Sequence, residues 1–155
     1  MEQSSGRTES GARASAMRLL VAREHTVIEL TRKLISRGYD RLQIKDVIDE
    51  LSVEGLQSDR RFTEVYVRSR VGKGYGPAHI SRSLREKGID DELINEYLKS
   101  TDDYWLSIAK EILDKRFPSQ TVLTDKDWHR RARFLSSRGF SGATVYKALP
   151  EKQWD

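Results

Sequence analysis

Three short stretches of this sequence share one pattern and decide the fold: LISRGYD, LREKGID and LSSRGFS, at residues 34–40, 84–90 and 135–141. Each has a leucine four positions before a glycine, a basic residue directly before it and a capping residue two positions after it. The glycines Gly38, Gly88 and Gly139 lie 50 and then 51 residues apart. A fixed period of this length is typical of tandem structural repeats.

The shared glycine is predicted to end one helix just before another begins. Glycine enters the left-handed region without a Cβ clash, so helices end easily on it. Asp40, Asp90 and Ser141 then stand where a side-chain oxygen can cap the amides of the next helix. Apolar residues six and ten positions beyond each glycine mark one face of that helix: Ile44, Ile48, Ile94, Leu98, Val145 and Leu149.

Other capping patterns add further helices to each repeat. Thr26 and Thr124 begin capping boxes, and Pro77 follows Gly76 at a position that favours a first helical turn. Apolar periodicity upstream predicts one more helix per repeat, marked by Met17, Leu20 and Val21, by Phe62, Val65 and Tyr66, and by Trp105, Ile108, Ala109 and Ile112.

The sequence therefore predicts an all-α fold of three tandem three-helix repeats, stacked into an elongated, curved rod. Stacking is expected because one small unit buries too little apolar surface to be stable alone. The third repeat is irregular, since Arg131 stands eight positions before its glycine where the others have Leu30 and Ile80. Phe134 is expected to supply the missing bulk. The predicted parts are a disordered tail at 1–13 and repeats at 14–57, 58–100 and 101–155.

Composition excludes several classes of site. The 155 residues include 28 Lys and Arg against 24 Asp and Glu, and no cysteine, so disulfides and thiolate chemistry are excluded. No run approaches the roughly 20 apolar residues of a membrane span, and the polar first residues do not resemble a signal peptide. A cytoplasmic protein without membrane contact is expected, and a monomer, because no coiled-coil seam is present.

Catalytic chemistry is not expected from the titratable residues. The histidines lack paired ligand spacing, so surface or capping roles are expected for His25, His79 and His129. The acidic pairs at 102–103 and 125/127 fall where helices begin, and capping explains them. We therefore expect no enzyme activity, no metal and no cofactor. Trp105 is expected in the core, whereas Trp154 leaves core packing and base stacking open.

The segment VGKGYG at 71–76 is predicted to be a turn between two helices. It is neither a P-loop nor a Rossmann fingerprint, because no strand precedes it and Lys73 is followed by glycine. Three glycines in five residues are also expected to leave backbone amides bare, so that a partner can approach closely. Lys73 and Tyr75 would offer that partner a cation and a flat ring.

Charge is distributed in bands along the chain. Residues 61–88 and 115–139 each carry a net charge of +5, whereas residues 89–114 carry −6. Arg32, Arg82 and Arg133 lie six positions before the repeat glycines and are expected to point outward. A helix-turn-helix reader of DNA sequence is disfavoured, because the last helix of the second repeat is acidic and phosphates would repel it.

Residues 59–89, DRRFTEVYVRSRVGKGYGPAHISRSLREKGI, resemble the signature of the RecX family of RecA regulators. In that family an Asp-x-Arg-Phe segment leads through Tyr-Val-Arg-x-Arg to a Lys-Gly-x-Gly-Pro turn. ELTRKLISRGYD at 29–40 resembles the family's first repeat, whereas the third repeat matches only in pattern and Ser83 replaces a commonly acidic residue. The resemblance implies three tandem three-helix repeats that bind the RecA nucleoprotein filament and inhibit its ATP hydrolysis, strand exchange and coprotease activity.

Basic residues around the glycine turn are the predicted partner contacts, with a second band in the third repeat. Direct contact with DNA is a further possibility, and two alternatives stay open: a sequence-independent nucleic-acid-binding module and a purely structural scaffold. The predicted contact residues are Arg68, Arg70, Lys73, Tyr75, Arg82 and Arg85, followed by Arg130, Arg131 and Arg133.

Overall fold

The computed structural model describes residues 8–119 and 122–152. These residues form helices joined by short turns and contain no strand, which confirms the all-α class and the three helices of each predicted repeat. Trp154 and residues 1–7 lie outside the described part. The helices are α1 (Glu9–Ala22), α2 (Val27–Ser36), α3 (Arg41–Val53), α4 (Asp59–Gly72), α5 (Pro77–Glu86), α6 (Asp91–Leu98), α7 (Asp102–Arg116), α8 (Asp125–Ser137) and α9 (Gly142–Ala148).

The chain divides into two compact units. Unit 1 comprises Met1–Val65 and Arg85–Leu93, and unit 2 comprises Tyr66–Leu84 and Ile94–Asp155. The divisions fall within α4, α5 and α6, so the second predicted repeat contributes to both units. The first repeat belongs to unit 1 and the third to unit 2.

The core of unit 1 is aliphatic and is built from α1, α2 and α3. Leu30 and Leu34 stand one helical turn apart on α2 and are fully buried. At the edge of this core, the Tyr39 hydroxyl donates a hydrogen bond to the Gly11 carbonyl oxygen at 3.1 Å. The buried cluster consists of Ala12, Ala16, Leu30, Leu34, Tyr39, Ile44, Val47, Ile48 and Leu51.

Helix α1 begins earlier than the sequence pattern indicated. Thr8 is its N-cap, and its hydroxyl oxygen accepts from the Gly11 amide at 3.2 Å. A disordered tail through residue 13 is therefore wrong for residues 8–13, and the rest of that prediction falls on residues 1–7, outside the described part. The small polar residues resemble a tail in composition, but Ala12 and Ala16 are fully buried and allow α1 to pack closely.

The buried face of α1 also differs from the predicted one. Met17 and Val21 were expected to face the core, yet Val21 is 86% exposed and Met17 is 37% exposed. Ala12, Ser15 and Ala16 are buried instead. Alanine carries too little hydrophobicity to dominate a periodic pattern, although its size suits a close helix contact.

The repeat glycines have the backbone conformation that the sequence predicted. Gly38, Gly88 and Gly139 have φ between +82° and +95°, in the left-handed region. The capping residues follow as expected: oxygen atoms of the side chains of Asp40, Asp90 and Ser141 accept from the amides of Leu42, Leu93 and Thr144.

The interior of unit 2 is richer in aromatic rings than that of unit 1. Trp105 is buried, as expected. Trp128 is buried as well, and its indole donates to the Pro150 carbonyl oxygen at 2.9 Å. Buried Phe117 makes an edge contact with half-buried Phe134, their ring centroids 5.5 Å apart. Aromatic rings therefore fill much of the third repeat.

Candidate contact surface

The glycine-rich segment is a turn between α4 and α5, as predicted, but its backbone amides are all bonded. Those of Lys73, Gly74 and Tyr75 donate to carbonyl oxygens in the last turns of α4. The Gly76 amide donates to the Arg138 carbonyl oxygen at 2.7 Å. The expectation of bare amides is therefore wrong, because the end of α4 and the turn after α8 accept their hydrogen bonds.

The close approach permitted by these glycines is used within the chain itself. A Cβ on Gly76 would lie 2.6 Å from the Gly139 carbonyl carbon, and the Ala78 amide donates to the Gly139 carbonyl oxygen at 3.1 Å. Gly74 has φ of +87°, and a Cβ there would lie 2.8 Å from the Ile112 side chain. The turn is thus a joint against α7 and the end of α8, and its glycines are structurally required.

Tyr75 and Arg70 belong to the packing of this joint. The Tyr75 ring stacks on His79 with centroids 4.2 Å apart. The guanidinium of Arg138 lies 4.8 Å from the Tyr75 centroid, and that of Arg70 lies 5.7 Å from it. Arg70 also lies 5.0 Å from the Tyr66 centroid. Cation–π contacts therefore hold both arginines in place.

A cleft of about 200 Å³ lies beside the joint, within unit 2. We call it the basic cleft, because Lys73, Lys115, Arg116 and Arg138 line it. Its other lining residues are apolar or lack a side chain: Gly72, Gly74, Ile112 and Phe134. No carboxylate lines it, so the charged side chains of its lining are all cationic.

The three arginines of the second predicted band differ in how far they are buried. Guanidinium groups of Arg130 and Arg131 lie 5.2 and 5.0 Å from the Phe117 centroid, and Arg131 also donates to the Pro118 carbonyl oxygen at 2.9 Å. Arg131 is half-buried, whereas Arg130 and Arg133 are exposed. Arg131 therefore packs against the repeat, and the other two present their charge to solvent.

The remaining predicted contacts are exposed on α4 and α5. Arg68 and Arg82 lie in unit 2, and Arg82 points outward as its position relative to Gly88 predicted. Arg85 lies in unit 1, where its Nε donates to Asp91 at 2.7 Å. An ion pair between two exposed side chains is weak, so this one leaves Arg85 able to exchange partners.

Sequence reasoning missed three members of the basic cleft: Lys115, Arg116 and Arg138. A signal for Arg138 was present, because a basic residue precedes every repeat glycine. Its guanidinium donates to the Lys73 carbonyl oxygen at 3.3 Å and thereby connects the two turns. Lys115 and Arg116 gave no signal, since only tertiary packing brings the end of α7 to this place.

His25 is buried, whereas a surface or capping role was expected for all three histidines. His25 is 1% exposed, with Nδ1 3.0 Å from the Arg23 carbonyl oxygen and Nε2 2.9 Å from the Lys33 amine. Burial lowers the pKa of His25, despite the hydrogen bond to Arg23. His79 stacks on Tyr75, and His129 faces Asp125 at 3.2 Å.

The acidic residues at the helix starts occupy the places that capping predicts. Thr101 and Thr124 cap α7 and α8, and the Asp127 carboxylate accepts from the Thr124 hydroxyl at 2.8 Å. Across residues 8–119 and 122–152, no group of three or more His, Cys, Asp or Glu side chains is placed to hold a metal ion. Among the same residues, no helix has the length and apolarity that a membrane crossing requires.

Comparison with protein families gives three matches in order along the chain. They are the first RecX three-helix domain at residues 12–51, the second at 58–98 and the third at 102–149. The chain belongs to the RecX family. The joins between these RecX domains fall between α3 and α4 and between α6 and α7.

Two curated relatives and one solved structure agree with this membership. "Regulatory protein RecX" of Halorhodospira halophila is 39% identical over 143 residues, 92% of this chain and 89% of the relative. The protein of that name from Legionella pneumophila is 36% identical over 88% of this chain and 91% of its own. The crystal structure of RecX from Lactobacillus salivarius covers 90% of this chain and 93% of its own, with a TM-score of 0.78 and 24% identity, and supports the fold.

The basic cleft draws its residues from two RecX domains. Lys73 and its neighbouring glycines belong to the second domain, whereas Lys115, Arg116 and Arg138 belong to the third. The predicted contacts around the glycine turn, from Arg68 to Arg85, lie wholly in the second RecX domain, and the predicted second band lies in the third. Truncation of this chain after the second domain would therefore remove the second band and most of the cleft.

Proposed function

We propose that this protein regulates the RecA recombinase, mainly as an inhibitor. It binds the RecA nucleoprotein filament and suppresses ATP hydrolysis, strand exchange and coprotease activity during recombination and the SOS response. The observation that carries this proposal is the presence of all three RecX domains, in order, over residues 12–149. The proposed role is non-enzymatic, and the protein is proposed to act as a cytoplasmic monomer.

The exposed cations of the two predicted bands are the proposed contacts with the filament. Arg68, Lys73, Arg82, Arg130 and Arg133 are exposed and can reach acidic protein surface or phosphates. Arg85 would join them by exchanging its ion pair. The remaining predicted residues, Arg70, Tyr75 and Arg131, contribute by fixing the turn and the ring contacts beside those cations.

The test is a titration of this protein into RecA that is hydrolysing ATP on single-stranded DNA. The expected result is inhibition at far less than one molecule per recombinase, as action at filament ends or by propagated disassembly would give. Absence of inhibition even at excess would refute the proposal.

Contact placement is tested by reversing two charges, in the variant Arg82→Glu with Arg85→Glu. Its matched control is Arg18→Glu with Arg41→Glu, where both arginines are exposed but lie outside the proposed bands. Inhibition should weaken by at least roughly tenfold in the first pair, the equivalent of about 1.4 kcal/mol, and little in the control. If the two double variants inhibit RecA equally, the contact surface lies elsewhere.

A second candidate function is sequence-independent binding of nucleic acid. The observation that favours it is the basic cleft, whose lining includes four cations and no carboxylate. It predicts affinity for DNA in the absence of RecA that decreases steeply with salt. An affinity that salt leaves unchanged would exclude this candidate.

A further inference from the structure

We propose that the basic cleft is a binding site for a phosphate group. The group would come either from the backbone of a single-stranded nucleic acid or from a nucleotide. This inference rests on the second candidate function, which uses the same cleft, and it does not depend on RecA regulation, because all of the lining residues belong to unit 2. It assigns to the third repeat a ligand site that its irregular sequence pattern did not predict.

The positive charge of the cleft is only partly compensated. Lys115 forms an ion pair with Glu111 at 3.2 Å, and both side chains are exposed. For Lys73, Arg116 and Arg138, the described residues provide no carboxylate at ion-pair distance. Like charges that converge on one cleft repel each other, and a bound anion relieves this repulsion.

Two guanidinium groups of the cleft are held in position by packing against one aromatic ring. Those of Arg116 and Arg138 lie 5.8 and 5.1 Å from the centroid of the same ring, Phe134. Arg138 is held further by its hydrogen bond to the Lys73 carbonyl oxygen. An arginine already fixed by packing loses less conformational freedom when it binds, and its planar donors match phosphate oxygens.

The volume of the cleft and the arrangement of its cations suit a phosphate group. The cleft volume of about 200 Å³ equals that of about seven water molecules, which accommodates a phosphate and part of its ester group. A carboxylate offers two oxygens in one plane, whereas phosphate directs oxygens tetrahedrally toward donors on several segments. The cations come from the α4–α5 turn, the end of α7 and the end of α8, so a tetrahedral acceptor suits them better.

Base stacking and backbone amides contribute little at this site. Arg116 and Arg138 already lie against the Phe134 ring, and Tyr75 is stacked on His79. Amides of the adjoining turn bond within the chain. Recognition would therefore use side-chain charge, and preference among bases is not expected.

The test compares two double variants of the full chain that remove equal charge. Lys73→Gln with Lys115→Gln changes the cleft, whereas Lys110→Gln with Lys126→Gln changes two exposed lysines of unit 2 outside it. Circular dichroism should show both variants folded, since all four side chains are exposed. The probes are fluorescein-labelled oligothymidine and inorganic pyrophosphate, without RecA.

The cleft variant should bind oligothymidine at least roughly tenfold more weakly than the parent, and the control variant less than about threefold more weakly. The dependence of log affinity on log salt should become shallower by about 1.4 in the cleft variant, because two phosphate contacts are lost. Equal effects in both variants would overturn the proposal.

Competition then separates the two sources of phosphate. Displacement of oligothymidine by pyrophosphate, together with pyrophosphate-induced amide shifts at Gly72 and Gly74, would show recognition of phosphate itself. Cleft-dependent binding of oligothymidine alone would identify the nucleic-acid backbone as the source. If an oligoglutamate peptide binds the cleft and neither phosphate probe competes with it, the site is one for protein carboxylates and the proposal is wrong.

Discussion

The helices α1–α3 and α7–α9 share the same leucine–glycine turn but fill their interiors with different chemistry. The first group buries alanine, leucine, isoleucine and valine, with Tyr39 as the one aromatic residue of its cluster. The second buries aromatic rings against which guanidinium groups lie, as Arg130 and Arg131 do against Phe117. The turn is constrained by the backbone, which requires glycine where φ is positive. The interior needs only suitable volume, so its chemistry can diverge between repeats.

The two groups also differ in what their glycines face. A Cβ on Gly139 would meet backbone atoms of His79, whereas one on Gly55, in unit 1, would have nothing within 4 Å. Both have positive φ, +95° and +76°. The comparison therefore separates backbone strain from close approach.

The largest effect is expected for Gly139→Ala. The alanine must adopt a left-handed conformation and displace His79, which together should lower the free energy of unfolding by about 3 kcal/mol. The matched control, Gly55→Ala, retains only the strain and should cost about 1 kcal/mol. Urea unfolding measures both, and similar losses would show that the close approach of the joint contributes nothing.

A loss of stability comparable to that of Gly139→Ala is expected for Leu34→Ala. Leu34 and Leu135 occupy the same repeat position and are both fully buried. Each truncation should cost about 3 kcal/mol through lost burial and the cavity left behind. If Leu135→Ala costs over about 1 kcal/mol less, the aromatic interior relaxes around the cavity more easily than the aliphatic one.

A smaller, pH-dependent effect is expected from His25 in unit 1. The Lys33 amine donates a hydrogen bond to Nε2 of His25, and Nδ1–H donates to the Arg23 carbonyl oxygen, so the folded state holds the neutral ring. Burial lowers the pKa of His25. Stability from this arrangement is fully present above the unfolded pKa of about 6.5 and is lost as pH falls below it. Unfolding of unit 1 at several pH values measures the slope.

The control for this pH effect is His25→Gln, which removes the titrating ring. The variant is expected to be less stable at neutral pH, because glutamine fits a histidine site imperfectly, but its stability should vary less between about pH 6.5 and lower values. An unchanged slope in the variant would assign the acid sensitivity to another group.

The smallest effect is expected for Arg131→Leu, which gives the third repeat the kind of residue the first repeat has at Leu30. The change removes a cation–π contact and one hydrogen bond to Pro118, and replaces them with apolar burial. These contributions should nearly cancel, so the free energy of unfolding should change by less than about 1 kcal/mol. A loss above about 2 kcal/mol would show that arginine is required in the aromatic interior.

Much of the local structure could be predicted because it depends on nearby residues. The glycine turns, the caps at Asp40, Asp90 and Ser141 and the start of α5 at Pro77 each follow from backbone conformation and hydrogen bonding within a few positions. The same holds for the outward arginines, whose direction follows from helix periodicity. The elongated rod stays a prediction.

The candidate site was only partly predictable. Lys73 was identified from the glycine-rich segment, but Lys115 and Arg116 lie far from it in sequence and carry no motif. The amides expected to be bare were found bonded to carbonyls, one of them at Arg138, 62 residues away. Such contacts depend on which segments pack together, and no local pattern encodes that.

The sequence by itself determined most helix boundaries, the start of α1 excepted, and that the unit repeats three times, because capping and glycine conformation are properties of a few adjacent residues. Tertiary structure alone decided which small residues of α1 are buried, that His25 is enclosed, that Gly76 lies against Gly139, and that four cations surround one cleft. The physical reason is that burial and electrostatic potential are sums over neighbours in space, and those neighbours come from distant parts of the chain.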